Sequence, residues 1–316
     1  MGGISQAEWH NRIDLLNEKL GDCTLCPRNC HAKRTRGETG YCGLGAEIVL
    51  SRALPHFGEE PPISGERGAG TVFLSSCNLK CVYCQNWQIS RSTGGRKIGP
   101  PELAKIFIEL RDKGCHNIEA VTPTPQVPGF VEALNIARLE GLDLPVVFNC
   151  GGYESPEIIK LLDGIVDIWL ADFKYGSETA ARELSGAADY PDRALAAIKE
   201  MVNQVGHELI TSGDIGKRGI IIRHLVLPGM IGNSVAALEI LKKEISPEVP
   251  ISIMSQYTPI PAMVAHPALG KRISGREYET VLDAALNLGF ETIFTQDLDE
   301  RNMVPDFDRE APFQWL

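Results

Sequence analysis

No stretch of this chain approaches the roughly 18 consecutive apolar residues of a membrane-crossing helix, so a membrane span is not expected. Positive charge is scarce as well. Against 41 Asp and Glu stand 31 Lys and Arg, a formal net charge of −10. That balance leaves no basic footprint for nucleic acid or for an anionic membrane surface. The polar opening Met1-Gly2-Gly3-Ile4-Ser5-Gln6 lacks the apolar core of a secretory leader, and Gln6 stands where a myristoylation signal needs Ser or Thr. Internal repeats and low-complexity tracts are missing too. Cysteine is what the chain has in quantity. Nine cysteines without a leader point to a reducing, cytoplasmic setting and to metal binding rather than disulfides.

With 316 residues the chain can bury a large core, and one barrel domain with an appendage fits better than two equal domains. The division expected is residues 1–66 for an N-terminal helix and metal hook, and 67–316 for the barrel. Its 43% apolar and 23% charged residues are those of an ordinary globular protein, so specific chemistry must be sought in motifs.

Three cysteines, Cys77, Cys81 and Cys84, fall in the run Cys77-Asn78-Leu79-Lys80-Cys81-Val82-Tyr83-Cys84. The C-x3-C-x2-C spacing offers three thiolates from one tight loop. Cubane iron–sulfur clusters take one ligand per iron, so three cysteines leave one iron open to something that is not protein. Zinc and disulfides also use closely spaced cysteines, but a zinc knuckle would lack its fourth ligand here. The preceding Gly68-Ala69-Gly70-Thr71-Val72-Phe73-Leu74-Ser75-Ser76 reads as a glycine-led strand, which places the loop at a strand's C-terminal end. In barrels of strand–helix repeats, reaction centres lie there.

Beyond Arg91 the pattern alternates. Strands are expected at 118–124, 144–150, 166–173, 219–227, 251–257 and 292–296, and helices at 102–113, 130–140, 156–162, 193–204, 235–244 and 277–288. Trp9, Ile13, Leu16 and Leu20 mark an amphipathic helix at the start, ended by Gly21, and an irregular segment is expected from Pro55 to Gly65. Counting the cluster strand, the βα order demands a parallel sheet with right-handed crossovers. The fold class is therefore α/β: a partial, open (β/α) barrel of six to seven parallel strands, one short of a closed barrel of eight, with a small cysteine-rich N-terminal extension.

That extension carries Cys23, Cys26 and Cys30 and, eleven residues on, Cys42, a C-x2-C-x3-C-x11-C set with Gly37, Gly40, Gly43 and Gly45 at its turns. Four thiolates close a tetrahedral site, and zinc and an auxiliary [4Fe–4S] cluster both fit it. His31 is an alternative ligand.

The three-cysteine loop, with Tyr83 just before its last cysteine, resembles the signature of the radical S-adenosylmethionine (SAM) enzymes. Within them the chain is similar to the PflX-like branch of proteins related to pyruvate formate-lyase activating enzyme. Segments that carry the resemblance include Cys26-Pro27-Arg28-Asn29-Cys30, Gly40-Tyr41-Cys42-Gly43, Glu59-Glu60-Pro61-Pro62-Ile63-Ser64-Gly65 and Cys84-Gln85-Asn86-Trp87. Val121-Thr122-Pro123-Thr124, Asp172-Phe173-Lys174-Tyr175, Arg223-His224-Leu225-Val226-Leu227-Pro228-Gly229 and Ser255-Gln256-Tyr257 extend it over nearly the whole chain. The resemblance implies that SAM chelates the open iron and that an electron splits its sulfonium into methionine and a 5′-deoxyadenosyl radical, which abstracts hydrogen from a substrate. It also implies a flavodoxin or ferredoxin-type electron donor.

One departure stands out. The Gly-Gly-Glu that grips the SAM amino group in many of these enzymes is replaced by Val121-Thr122-Pro123-Thr124-Pro125, leaving Thr122 or Thr124 to supply acceptors. Other residues expected at the SAM pocket are Tyr83, Asn86, Asn149, Gly151 and Gln256. The family's Asp-x-Lys adds Asp172 and Lys174, which alternation puts on one face of a strand. Arg223 is suited to clamp the methionine carboxylate, with His224 facing the other way. Cys150 reads as a small buried hydrophobe on the catalytic face. The reaction the resemblance implies is activation of a glycyl-radical enzyme. Alternatives are modification of another protein, a peptide or a small molecule, and, from a different class, a non-catalytic iron–sulfur protein for electron transfer.

Overall fold

The computed structural model describes residues 4–298 and 302–313. Among these described residues ten strands run β1 Ile48–His56, β2 Ala69–Leu74, β3 Arg96–Ile98, β4 Ile118–Val121, β5 Val146–Cys150, β6 Ile168–Asp172, β7 Ile210–Ser212, β8 Ile215–Leu225, β9 Ile251–Met254 and β10 Ile293–Thr295. The helices are α1 Gln6–Glu18, α2 Pro61–Ser64, α3 Trp87–Ser90, α4 Pro100–Asp112, α5 Val127–Leu139, α6 Pro156–Leu161, α7 Glu178–Ser185, α8 Tyr190–Val205, α9 Ile231–Glu244 and α10 Gly275–Leu288. Their starts obey local chemistry. Proline, which lacks the N–H that would go unbonded there, opens α4, α5 and α6. Ser274 and Glu277 close a reciprocal capping box on α10.

The order β2-β4-β5-β6-β8-β9-β10 is a run of parallel neighbours, the seven parallel strands expected. β1 and then β3 extend the β2 edge antiparallel, so β10 and β2 do not pair and the barrel stays open. β1 joins this sheet from within residues 1–66, across the expected division of the chain. The segment expected to be irregular from Pro55 begins as strand, because β1 continues to His56. Most barrel strands stop short of their expected ends. β4 ends at Val121 because Thr122 turns into the left-handed region at φ 55°, an uncommon conformation for a β-branched residue. α7 was not anticipated from the sequence, although Ser177 caps its start and Gly186, at φ 56°, ends it.

Two apolar layers hold the architecture. Outward strand residues pack with helices α4, α5 and α8, and Trp9, Ile13 and Leu16 of α1 join that same core. Inside the barrel, Val147, Ile168, Leu170 and Ile221 meet Ile63 of α2, which plugs the floor. Among the described residues no helix is long and apolar enough to cross a membrane.

Ile63 is fully buried in that plug. Ile63→Ala should cost about 2–5 kcal/mol, read as a lower urea midpoint at unchanged m-value, because the surrounding strands cannot collapse into the void.

Candidate active site

The loop that follows β2 is shaped before anything binds. Ser76 and Lys80 sit at φ 70° and 53°, and the loop is tied down from several sides. The Ser76 hydroxyl donates to the Cys42 carbonyl at 2.5 Å, and Val82 N–H to the Leu184 carbonyl at 2.8 Å. Arg28 of the hook donates to the Asn78 carbonyl at 2.9 Å and to Ser185 and Gly186 carbonyls at 2.8 and 2.6 Å, while its guanidinium lies 3.9 Å from the Tyr41 ring centre. One side chain thus staples hook, cluster loop and α7 together.

Cys77, Cys81 and Cys84 line one small cavity of about 130 Å³, and Cys81 and Cys84 also line a larger one of about 400 Å³ at the strands' C-terminal ends. Burial pushes Cys77 up to about 12, with Cys81 the next cause, and burial and then Cys81 likewise raise Cys84. Thiols this close and this desolvated resist ionisation unless a cation sits among them, so the donor set fits an iron–sulfur core. Cys150 lines the small cavity too, and burial and then Glu154 raise its thiol. The Ser185 hydroxyl donates to Cys81 Sγ at 3.0 Å, the kind of bond that tunes a cluster's potential.

The remaining expected residues divide. Asn86, Asn149, Asp172 and Lys174 line both cavities, Thr122 and Gly151 the small one, Tyr83, Arg223 and Gln256 the large one. Thr124 lies outside both, buried in a 3-10 turn. Asp172 and Lys174 do share a face and form an ion pair. Burial alone would lower Lys174, but the Asp172 carboxylate outweighs it and raises the amine. Gly152 cannot carry a side chain: at φ 81° its Cβ would meet the Asp172 carbonyl at 2.1 Å.

Arg223 faces inward as alternation requires, but not as a free carboxylate clamp. Its Nε donates to Glu60 at 2.9 Å, its terminal nitrogen to Glu60 at 2.5 Å and also to Glu59. The partners expected from SAM are supplied by the protein, because the loop carrying Glu59-Glu60 folds up through the barrel floor. His224 points outward and bonds the Phe173 carbonyl and Ser234.

Behind this pair Glu119 accepts from the Thr71 hydroxyl at 2.6 Å and the Asn149 amide at 2.7 Å. Burial and then Glu59 push Glu119 up to about 8. Glu59 itself is held below the carboxylate range: burial opposes this, but Arg223 and then His56 prevail. Sequence reasoning passed over Glu59, Glu60, Glu119, His56 and Ser185. The consecutive acids before Pro61-Pro62 were the one signal available, since charges next to a buried plug need partners.

In the hook, burial raises Cys23, and burial with Glu154, Cys23 and Cys42 pushes Cys26 up to about 12. A Cβ on Gly40 would fall 2.1 Å from Cys30 Sγ, so Gly40 lies directly against that sulfur, although Cys30 is exposed. The four thiols are neighbours. Among the described residues, however, no three His, Cys, Asp or Glu side chains close on a single metal position.

The model of the radical SAM superfamily matches residues 71–212 of this chain. An uncharacterized protein of Methanocaldococcus jannaschii is 28% identical over 292 residues, 90% of this chain and 80% of that protein. The 7-carboxy-7-deazaguanine synthase of Methanopyrus kandleri is 26% identical over 154 residues, 42% of this chain and 58% of its own. In structure the chain is similar to the FeFe-hydrogenase maturase HydG of Carboxydothermus hydrogenoformans, at TM-score 0.51 and 16% identity, over 72% of this chain and 53% of that one. That likeness is one of fold. The family match is a likeness over residues 71–212, under half of the chain, a segment that includes the three-cysteine loop.

Two outcomes follow from the geometry. A carboxyl raised in the folded state adds stability below its unfolded value near 4.5, and that stability is lost as pH rises through about 8. Thermal melts between pH 5 and 9 should therefore show wild type falling more steeply than Glu119→Gln; parallel slopes would remove Glu119 as the cause. Arg28→Ala, which cuts the staple, should lower cluster occupancy after reconstitution while leaving α/β circular dichroism intact.

Proposed function

We propose that this chain is a radical SAM enzyme that binds a [4Fe–4S] cluster through Cys77, Cys81 and Cys84 and abstracts hydrogen from a substrate in the barrel cavity. The observation that carries this reading is that those three thiols line one small cavity, and two of them also line the larger one inside the barrel. When bound, the cluster supplies the electron that cleaves SAM. The chain's own residues then have separate tasks. Asn86, Asn149 and the Asp172–Lys174 pair border both cavities and would hold SAM between them. Thr122, turned into the small cavity by its left-handed backbone, would offer its carbonyl or hydroxyl where an acidic motif is missing. Tyr83, packed edge-on against Tyr175 and Tyr257 at 6.4 and 6.3 Å, keeps that region dry, which protects a radical from water.

The hook is proposed to hold a structural zinc or a second cluster through Cys23, Cys26, Cys30 and Cys42. A flavodoxin or ferredoxin-type donor of the cytoplasm would supply the electron. Activation of a glycyl-radical enzyme needs a peptide segment to enter beside Cys84. Met303, Pro305 and Phe313 wall the large cavity, and that enclosure favours a small molecule or a short peptide end over a folded protein loop.

The deciding experiment is anaerobic reconstitution with iron and zinc counting and assay of 5′-deoxyadenosine. Replacing Cys77, Cys81 and Cys84 together by Ala should remove one cluster and all reductant-dependent SAM cleavage; surviving cleavage sinks the site. Cys150→Ala should keep the cluster, and its loss there would instead favour a four-cysteine electron carrier. Cys26→Ala should lower the folded yield together with the hook's metal.

A further inference from the structure

The floor of the large cavity is unbalanced in charge. Glu59 and Glu60 line it and share the single guanidinium of Arg223, with Glu119 close behind and the Asp172–Lys174 pair neutral in itself. Arg223 spends its donors on those two carboxylates. His56 lines the same cavity, only 7% exposed, and its Nε2 stands 3.7 Å from Glu59. Its Nδ1 is buried with no hydrogen-bond partner among the described residues. Buried polar atoms are seldom left unpaired, and a buried excess of negative charge is costly unless a cation meets it. Above the floor, Phe73 and Phe313 pack around the His56 ring at 5.8 and 4.3 Å, and Met254 and Phe294 add an apolar wall.

Resting on the reading above, we infer that the substrate of this cavity carries a cationic nitrogen, an ammonium or guanidinium, which docks against Glu59, Glu60 and His56 on an apolar stem. Carboxylates give charge-assisted acceptors to such a group, and aromatic faces attract it further. Burial holds His56 below its ordinary value, which favours the neutral ring, and Nδ1 has no hydrogen-bond partner among the described residues. An anionic substrate would meet two carboxylates and a guanidinium already engaged. The Glu59-Glu60-Pro61-Pro62 segment thus does two jobs: Ile63 plugs the barrel and the acids ahead of it present the recognition surface.

The test uses the reconstituted, SAM-loaded protein and three matched probes, n-butylamine, n-butanol and butyrate, with affinities read by calorimetry and thermal shift. Butylamine should bind about tenfold or more tighter than either match, and Glu59→Gln and Glu60→Gln should each erase that preference. Equal affinities, a preference for butyrate, or a preference that survives both substitutions overturns the inference. Circular dichroism melts report whether each variant folds. If Glu60→Gln does not, Glu59→Gln and the wild-type comparison still decide. Substrate-free SAM cleavage by wild type is measured alongside. Cleavage without amine preference overturns this inference alone, whereas absence of cleavage counts against the radical reading, and the probe comparison is scored either way.

Discussion

Three thiols buried against one another within eight residues impose the constraint to which the rest of this site is fitted. Desolvation keeps such thiols protonated, so the loop between β2 and α3 is an expensive arrangement until positive charge enters it. Holding it ready therefore falls to groups outside the loop. Arg28, the Cys42 carbonyl and the Leu184 carbonyl each take or give a hydrogen bond to loop backbone or to Ser76, and two residues accept left-handed dihedrals to make the turn. The geometry is over-determined, which is how strained backbone persists at a reactive centre.

The barrel interior separates two kinds of charge. At the strand ends, Asp172 and Lys174 neutralise each other beside the thiols; at the same level on β8, Arg223 is outnumbered by carboxyls. The parallel register puts these groups side by side, since Asp172 pairs directly with Arg223 across β6 and β8, and Ser252 faces Arg223 from β9. Inward positions two residues earlier, Leu170 and Ile221, are apolar and belong to the plug. Along β6 and β8 the environment thus changes from dry core to charged layer within two residues.

Much of this was legible in the residues themselves. The period-two and helical patterns gave the seven parallel strands, because strands covered on both faces read as apolar runs bounded by turn residues. The cysteine spacings set apart two groups, one of three and one of four, by count alone. Strand ends were overextended for a local reason: apolar or β-branched residues such as Thr122 and Thr124 continue the pattern after the backbone has turned away. Helix α7 is short and rich in Ala and Glu, so its three turns or fewer left little periodicity to read. Arg223 illustrates the deeper limit. Its inward direction followed from alternation, but its partners lie 163 and 164 residues away in sequence, and no local pattern reports a contact of that range.

The hook's place against the three-cysteine loop bears on how the two proposed metal sites would influence one another. Cys42 is one of the four hook cysteines proposed to bind metal, and its carbonyl accepts the Ser76 hydroxyl immediately before Cys77. Tyr41, its neighbour, donates to the Leu79 carbonyl at 3.2 Å and accepts Lys80 on its own carbonyl at 2.8 Å. Any metal that draws Cys42 toward Cys23, Cys26 and Cys30 therefore fixes the backbone that grips the loop. Zinc in the hook would act by rigidity alone, because it has no redox change to transmit. An iron–sulfur cluster there would add a charge that changes with its oxidation state, felt through an interior of low dielectric. In either case the coupling runs through Arg28 and through two consecutive residues, Tyr41 and Cys42. The hook is then part of the apparatus that sets the cluster loop, rather than an appendage beside it.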